Sequence, residues 1–456
     1  MARSGGSHVR WHLALAVVTA LGALAVESAM AAGLEGREHD PVVVPLARLD
    51  GLHVGDGSLL SLQRVEQGRL VPIPFQLDPR DADGEPIVDA PLDAPLDAND
   101  ELVFMARDAG ERATPELLPA SCTAALEIEL RDPRRDARAW AYLLAHSEPP
   151  EPLPYAPYVV YDWTSRQARS DAYHVDYADG RNYFTGLRVL EVAGGNRVNL
   201  LRQSRMRGSP TFSLLLTDLT LDFTEQSTLV EIEGVRAGPV RVVRRVRLSV
   251  ELGPLFPELP NGVATTYHYR TSYLTASSIR IPWIMLQALR DFRFENVLDF
   301  QPETLPMRYF DPWYPDGIEI APHNRLIVAT TEDRPWWVHS SSAGTVLHSL
   351  GIPRVWREWG IVRGTVVRSG VRGDEADAKA EDEDQRVADA DADASSSEGA
   401  FAAGFTLRNM TSLREGGAYD ISMASVVLPG PYQPGDEAPA IAMLDEPLAV
   451  EVRRLR

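Results

Sequence analysis

Alternation of apolar and polar residues constrains the fold of this chain more than any other feature of its sequence. In residues 240–252, apolar side chains fill almost every second position. A period of two puts successive side chains on opposite faces of a β-sheet. Residues 126–130 alternate in the same way, and apolar runs bounded by turn residues occur at 42–46, 59–65, 71–77, 102–106, 401–407, 419–428 and 448–452. The sequence therefore predicts a mostly β protein with antiparallel sheets.

Two segments depart from this pattern. Trp283, Leu286, Leu289 and Phe292 recur at helical spacing and predict one short helix. Residues 373–399 are acidic and of low complexity, and they contain eleven acidic residues but only two basic ones. Such a segment buries too little apolar surface to offset its ordering entropy. We interpret it as a disordered insertion within a β domain.

A proline-rich segment at residues 147–157 is interpreted as a linker, because proline fixes φ and lacks the N–H that a central strand needs. It predicts a small N-terminal β-barrel-like domain at residues 41–146. A larger antiparallel β-sandwich, which carries the acidic insertion, is predicted at residues 158–456.

The first 31 residues have the organisation of a cleavable signal peptide. Arg3, His8 and Arg10 give a cationic start, residues 13–26 are apolar, and Ala29-Met30-Ala31 forms a small-x-small cleavage site. The sequence therefore predicts export to the periplasm or the extracellular space. No later apolar run reaches the roughly 20 residues of a membrane helix, so no transmembrane segment is expected in the mature chain.

Composition excludes several functional classes. A formal net charge of −20 disfavours nucleic acid and anionic membrane surfaces as partners. Cys122 is the single cysteine, so no internal disulfide can form. The sequence lacks the G-x-S-x-G, G-x-x-x-x-G-K-[ST] and G-x-G-x-x-G motifs, and its histidines lack metal-ligand spacing beyond the predicted signal peptide. We therefore expect no cofactor and no metal.

The segment Tyr-His-Tyr-Arg at 267–270 is the most chemically loaded strand-like stretch. Alternation continued to Tyr273 would put the three tyrosines on one face and the histidine and arginine on the other. Tyrosine or histidine can act as general acid or base, and arginine can neutralise a carboxylate, a combination that suits β-elimination on a uronate sugar. The alternative is aromatic packing beside a solvated polar face. The candidate catalytic residues are Tyr267, His268, Tyr269, Arg270 and, in a similar context, His174.

Aromatic clusters beside charged residues form a second group of candidates. Flat rings next to carboxylate or guanidinium groups hold sugars by stacking and polar contacts, although tryptophan is also a common core residue. The candidate ligand-binding residues are Trp313, Tyr314, Asp316, Trp336, Trp337, His339 and Arg244. Arg244 is included because it falls on the apolar face of the strand at 240–252, and a buried guanidinium requires a carboxylate partner.

Three motifs in the N-terminal region form a recognisable series: Val71-Pro-Ile-Pro-Phe-Gln-Leu-Asp78, Asp81-Ala-Asp83-Gly84, and Asn99-Asp-Glu-Leu-Val-Phe-Met-Ala106. The series, within about residues 41–110, resembles the N-terminal β-barrel domain of secreted exo-rhamnogalacturonan-lyase-like bacterial proteins. The resemblance implies a small barrel followed by a large β-sandwich of the carbohydrate-enzyme type. That family's large helical catalytic portion is not evident here, and no catalytic residue is carried over.

Together these patterns favour an exported bacterial protein that binds carbohydrate or associates with the cell envelope without catalysis. One alternative is a polysaccharide lyase or hydrolase acting on uronate-containing glycans. A second alternative is a structural partner in a periplasmic or surface protein complex. The expected partners are accordingly a polysaccharide or another envelope protein.

Overall fold

The structure is a computed structural model, and it describes residues 34–456 apart from 50–56, 92–93, 152–154, 181–183, 214–216, 251–258, 282, 321–325, 329–334, 360–361, 370–400 and 408–416. The predicted signal peptide, the centre of the predicted linker and the acidic insertion lie outside the described residues. Within the described ranges, no helix combines the length and apolar character needed to cross a membrane.

The described chain divides into two compact units. The first takes its described residues from 34–78, 94–151 and 443–456. Its strands are β1 (Pro41–Pro45), β2 (Leu60–Glu66), β3 (Arg69–Pro72), β4 (Gln76–Asp78), β5 (Glu101–Met105), β6 (Ala124–Arg131), β7 (Arg138–Ala145) and β28 (Ala449–Arg454). They form a three-stranded sheet in the order β1-β5-β4 and a five-stranded sheet in the order β28-β6-β7-β2-β3.

The alternating segment at 126–130 lies in β6 and supplies the core of the first unit. Leu126, Ile128 and Leu130 are at most 1% exposed. They pack in one cluster with Leu62 of the same sheet and Phe104 of the three-stranded sheet. Full burial of such a side chain stabilises the fold by about 1.5–3 kcal/mol, which explains why the apolar face of β6 points inward.

The last strand belongs to the first unit. β28 pairs with β6, from Ala449 opposite Arg131 to Arg454 opposite Leu126. Arg453 also forms an ion pair with the buried carboxylate of Glu127, 326 residues away in the chain. The expected place of these residues in the C-terminal sandwich is therefore not observed, because an alternating pattern identifies a strand but not its distant partner.

The second unit takes its described residues from 79–91 and 155–442. Its strands are β8 (Val159–Asp162), β9 (Gln167–Ser170), β10 (Tyr173–Tyr177), β11 (Phe184–Val189), β12 (Leu201–Ser213), β13 (Asp218–Thr220), β14 (Phe223–Thr224), β15 (Thr228–Ala237), β16 (Val242–Val250), β17 (Leu259–His268), β18 (Ser272–Ile281), β19 (Leu289–Phe300), β20 (Met307–Asp311), β21 (Tyr314–Ile320), β22 (Leu326–Val328), β23 (Trp336–Ser341), β24 (Gly344–Gly351), β25 (Val362–Ser369), β26 (Phe401–Leu407) and β27 (Gly417–Leu428).

These strands form three antiparallel sheets. The four-stranded sheet has the order β11-β10-β9-β8. The seven-stranded sheet has the order β13-β12-β19-β26-β25-β22, with β14 also paired to β12. The nine-stranded sheet has the order β15-β16-β17-β18-β27-β24-β23-β20-β21.

One apolar core collects side chains from all three sheets of the second unit. Tyr173 of the four-stranded sheet, Phe300 and Phe401 of the seven-stranded sheet and Trp337 of the nine-stranded sheet are at most 1% exposed. The rings of Phe300 and Phe401 stack with their centroids 5.0 Å apart. Packing of sheets through their apolar faces is the principle of a β-sandwich, and the predicted mostly β fold class is confirmed.

The described α-helices are short: α1 (Trp283–Ala288), α2 (Arg354–Glu358) and α3 (Glu437–Asp445). The helix predicted from Trp283 to Phe292 ends earlier than its spacing indicates, because β19 begins at Leu289 and Phe292 lies opposite Pro210 on β12. Pairing with a neighbouring strand therefore overrides the local helical spacing. Short 3₁₀ helices occur at Leu46–Arg48, Gly57–Leu59, Ala106–Asp108, Pro115–Leu117, Glu191–Ala193 and Pro302–Thr304.

Two strand glycines give a matched test of packing in the second unit. A Cβ at Gly404 of β26 would lie 2.0 Å from the backbone oxygen of Asn296, whereas a Cβ at Gly262 of β17 would meet no atom closer than 3.5 Å. We expect Gly404→Ala to lower the free energy of unfolding by about 1–3 kcal/mol through overpacking. Gly262→Ala is the control and is expected to change it far less. Urea unfolding of both variants measures the difference, and equal effects would contradict the close approach.

Candidate functional site

The segment predicted to run as one strand from Tyr267 to Tyr273 is a hairpin. β17 ends at His268, β18 begins at Ser272, and the N–H of Tyr269 donates to the carbonyl oxygen of Ser272 at 2.8 Å. Tyr273 consequently lies opposite His268 in the sheet. The expected grouping of Tyr273 with Tyr267 is therefore wrong, because alternation does not continue through a chain reversal.

His268 lies in a buried chain of hydrogen bonds. Its Nε2 is 2.6 Å from the Tyr177 hydroxyl, and its Nδ1 is 3.2 Å from the Tyr173 hydroxyl. The Tyr173 hydroxyl is also 2.9 Å from the carbonyl oxygen of Tyr269 and 3.0 Å from that of Ser272. Because a carbonyl only accepts, Tyr173 donates to it. This network assigns the proton of His268 to Nδ1, with Tyr177 donating to Nε2.

The surroundings of His268 suppress its basicity. The side chain is 0% exposed. Burial, reinforced by the positive charge of Arg244, lowers the pKa of His268 to about 3. The imidazole is therefore neutral near neutral pH, and both ring nitrogens are already hydrogen bonded. In the described structure His268 therefore cannot act as a general base on a polymeric substrate that binds from solvent.

The other three residues of the motif have separate partners. Both carboxylate oxygens of Asp171 accept hydrogen bonds from Arg270, at 2.7–3.0 Å. The hydroxyl of Tyr269 accepts a hydrogen bond of 3.0 Å from Arg241, whose guanidinium also lies 5.0 Å from the ring centroid of Tyr267. Tyr267, Tyr269 and Arg270 therefore do not converge on His268.

His174 lies on the half-buried outer face of the four-stranded sheet. The strand register places it between Arg169 and Arg188. Burial and the positive charges of these arginines lower the pKa of His174, although Asp176 acts in the opposite direction. Asp176 itself forms an ion pair with Arg188. His174 lies on the opposite face of β10 from Tyr173 and Tyr177, the two residues whose hydroxyl groups contact His268.

The exposed aromatic residues lie at the turn between β20 and β21. Asp311 accepts hydrogen bonds from the backbone N–H groups of Trp313 (2.9 Å) and Tyr314 (2.8 Å), and from the hydroxyl of Tyr309 (2.9 Å). The turn is thus fixed by one buried carboxylate. It presents Trp313, 57% exposed, and Tyr314, 37% exposed, with Asp316 also exposed.

The remaining predicted ligand-binding residues lie largely inside the protein. Trp337 and His339 are 0% exposed and Arg244 is 1% exposed, whereas Trp336 is half-buried. His339 stacks on His348 with ring centroids 5.0 Å apart. The prediction that Arg244 is buried is confirmed. Trp337 and His339 occupy the core, which was the alternative interpretation of the aromatic clusters.

A polar cleft lies on the seven-stranded sheet, where β12 runs between β14 and β19. Its volume is about 280 Å³, close to the lower end of the range for small-ligand sites. The residues that line it are Arg207, Gly208, Ser209, Asp222, Phe223, Thr224, Arg293 and Glu295. Four of them alternate along β12 and β19, with Arg207 opposite Glu295 and Ser209 opposite Arg293.

Charges in the cleft are balanced and close together. Glu295 is 7% exposed and lies 4.0 Å from a guanidinium nitrogen of Arg293. Asp222 lies at the exposed side and accepts a hydrogen bond from the Ser209 hydroxyl. Two guanidinium groups therefore face two carboxylates, and the carboxylates differ in surroundings: one is buried beside arginine and the other is solvated.

A buried ion pair supports the cleft from the same face of β12 and β19. Asp299 is 0% exposed and accepts hydrogen bonds from Arg202 at 3.0 Å and from Arg205 at 2.9 Å. Cross-strand pairs of opposite charge stabilise a sheet and fix its register. These pairs hold β12 and β19 in the register that brings Arg207 beside Glu295.

Gly208 shapes the wall of the cleft. It lies opposite Phe223 of β14, and a Cβ at this position would come within 2.1 Å of the Phe223 ring. Only glycine allows the ring to lie this close to β12. The ring packs against Met206 and Phe294, which fixes it between the cleft and the apolar cluster beneath.

None of the cleft residues was predicted as a site residue. The only sequence signal was that Arg205 and Arg207, and likewise Arg293 and Glu295, lie two residues apart and so share one face of β12 and of β19. Taken alone, the charged residues of each strand are typical of a solvent-exposed strand face. The cleft appears only when the register places the two strands side by side. Among the described residues, no group of three or more His, Cys, Asp or Glu side chains is arranged to hold a metal ion.

Comparison with known proteins gives a distant structural likeness. No protein-family model and no curated protein sequence matches this chain. Two solved structures are similar: an alpha-mannosidase from Enterococcus faecalis V583, with 9% identity and a TM-score of 0.40, and a protein in glycosyl hydrolase family 38 from Enterococcus faecalis, with 7% identity and a TM-score of 0.44. The alignments cover 93% and 92% of this chain but 45% and 46% of those chains. The chain thus spans less than half the length of either.

Because His268 is buried and neutral, the stability of the protein should depend on pH. The folded-state pKa of His268 is about 3, below the ordinary value near 6.5 that it regains on unfolding. The unfolded chain therefore binds the extra proton, and stability falls as pH decreases through this window. We expect His268→Gln to reduce the slope by up to about 1.4 kcal/mol per pH unit. Urea unfolding between about pH 7 and about pH 4.5 measures the slope of the free energy of unfolding against pH. Identical slopes in the wild type and in His268→Gln would contradict a neutral His268.

Proposed function

We propose that this protein has a carbohydrate-related function and that the polar cleft on the seven-stranded sheet recognises a saccharide. The observation that carries the proposal is the convergence of two arginines, two carboxylates and two hydroxyl residues around the edge of a phenylalanine ring. Sugars present hydroxyl groups that both donate and accept, beside apolar C–H faces. Paired charged groups and an aromatic ring match both properties.

The size and charge of the cleft favour a short, uncharged portion of a glycan. A volume of about 280 Å³ accommodates one or two sugar rings but not a long chain. Arg207 and Arg293 are balanced by Asp222 and Glu295, so the lining has no formal net charge. The resemblance of residues 41–110 to the barrel domain of exo-rhamnogalacturonan-lyase-like proteins is compatible with this proposal. Export from the cytoplasm remains a prediction of the first 31 residues.

Glycoside hydrolysis is the second candidate function, and the different surroundings of the two carboxylates favour it. Glycosidases use a pair of carboxyl groups in unlike environments, one to protonate the leaving oxygen and one to attack or to activate water. Asp222 at the solvated side and Glu295 beside Arg293 both line the cleft and supply two carboxylates in unlike surroundings. In contrast, the lyase alternative based on His268 lacks support, because that imidazole is buried and engaged at both nitrogens.

Substitutions in the cleft should weaken saccharide binding. Titration of the purified protein with a panel of oligosaccharides in a calorimeter identifies a ligand. We expect Arg207→Ala and Asp222→Asn to raise its Kd by about tenfold or more, because each leaves a polar group of the ligand unpaired.

Two controls locate the binding site. Arg247→Ala removes an arginine whose side chain is 49% exposed and paired with Glu231 and Glu233, and it should leave Kd unchanged. Trp313→Ala tests the exposed aromatic turn. Binding in the cleft would be contradicted if Trp313→Ala abolished ligand binding while Arg207→Ala and Asp222→Asn retained it.

Release of reducing sugar distinguishes hydrolysis from binding alone. If Asp222 and Glu295 are catalytic, Asp222→Asn and Glu295→Gln should each lower kcat by a factor of about a hundred or more. Binding without release would leave recognition as the function. An ultraviolet absorbance rise from unsaturated uronates, abolished by His268→Ala, would instead favour the lyase alternative.

A further inference from the structure

Arg244 of β16 is a buried cation for which the described part of the chain supplies no anion. Its side chain is 1% exposed, and its Nε has no hydrogen-bond acceptor. Nor does the guanidinium form an ion pair with any carboxylate in the part of the chain that the structure describes. The carboxylate partner expected from the sequence is thus missing.

Neighbouring arginines behave differently. Arg245, the next residue, lies 2.6 Å from the carboxylates of Glu85 and Glu233. Arg270, beyond the following strand, is held by Asp171 at 2.7 Å. These side chains are at least partly solvated, yet each has a counterion. Arg244 is more deeply buried than either of them, and it has no counterion among the described residues.

The contacts of Arg244 recover only part of what its burial costs. Its guanidinium lies over the ring of Tyr177, 4.1 Å from the centroid. A cation–π contact offsets a fraction of the hydration that a buried charge loses. Arginine cannot escape this cost by losing its proton, because a guanidinium remains charged in proteins. An external anion would compensate the charge directly.

We propose that Arg244 is the binding residue for a small monocarboxylate anion inside the second unit. Tyr177 covers one face of the guanidinium, and the in-plane Nε–H has no acceptor in the described part of the chain, so the edge of the guanidinium is the part that would bind a ligand. Two parallel N–H groups match the two oxygens of a carboxylate in a bidentate arrangement. This site is separate from the polar cleft and does not depend on the function proposed for the cleft.

The aromatic neighbours are arranged so that they do not compete with such an anion. The hydroxyl of Tyr177 is committed to Nε2 of His268, and that imidazole is neutral. Tyr177 and His268 therefore add no second charge to the site. Among these three side chains only Arg244 is charged, which favours a ligand with a single negative charge.

Anion-dependent stabilisation tests this proposal. Thermal unfolding of the whole protein is followed while formate, acetate, chloride or sulfate is titrated at constant ionic strength, which holds general screening fixed. A ligand that binds only the folded state raises Tm progressively with its concentration. We expect formate or acetate to raise Tm, with chloride and sulfate weaker. A rise of equal size with all four anions would overturn the carboxylate assignment.

Substitutions of Arg244 supply the matched controls. Arg244→Met keeps the length of the side chain without its charge, and it should weaken the apparent carboxylate affinity by about tenfold or more. Without added anion this variant should be at least as stable as the wild type, because an uncompensated charge has been removed. Arg247→Met, at an exposed and paired position, should leave the carboxylate response unchanged.

Two outcomes would overturn the proposal. One is a wild-type protein whose Tm does not respond to formate or acetate. The other is a response that persists unchanged in Arg244→Met. If Arg244→Met does not fold, line broadening of ¹³C-labelled formate by the wild type, compared with Arg244→Lys, decides the question. Lysine keeps the charge but not the planar fork, so broadening that is equal in both proteins would contradict bidentate binding.

Discussion

Burial of the centre of the nine-stranded sheet on both faces, at β23 and β24, is the constraint on which the second unit depends. All but the last residue of β24 are buried, as are the central residues of β23. Only the protein itself can provide partners for polar side chains at such buried positions, because water is not available to them, and both ring nitrogens of His339 have no such partner in the described structure. The chain from Tyr177 through His268 to Tyr173 meets this requirement with one neutral imidazole. Arg244, which contacts Tyr177 of the same hydrogen-bonded chain, has no carboxylate partner among the described residues.

The same constraint separates structural polar groups from functional ones. His268 looks like a catalytic residue by its type and neighbours, yet both its nitrogens serve hydrogen bonds that hold the four-stranded and nine-stranded sheets together. The cleft on the seven-stranded sheet has the opposite character. Its polar groups are paired with one another but remain partly open to solvent, as at Asp222. Groups of that kind can exchange their internal partners for a ligand at low cost.

Much of the fold was accessible from local patterns. Strands predicted at 42–46, 102–106 and 401–407 differ from the observed β1, β5 and β26 by at most one residue at either end. These features depend on neighbouring residues only. The helix predicted over 283–292 is present but ends at Ala288, because pairing between β12 and β19 begins at Leu289, which no local window shows.

The candidate site was not accessible in this way. The exposed aromatic turn at Trp313 was selected from its composition, and the structure shows it exposed. Trp337 and His339 come from a similarly aromatic segment, but they lie in the core. The cleft was missed altogether, because its arginines and carboxylates come from strands that the sequence separates by about 80 residues.

The sequence by itself determined which segments are strands and which faces of them are apolar, because the two-residue period of an extended chain is a local property. Only the tertiary structure decided which strands are neighbours. That choice buried His268 and Arg244, opened the cleft between β14 and β19, and joined the C-terminal strand to the first unit. The physical reason is that register is set by hydrogen bonds and packing between distant segments, and many registers are compatible with the same alternating pattern.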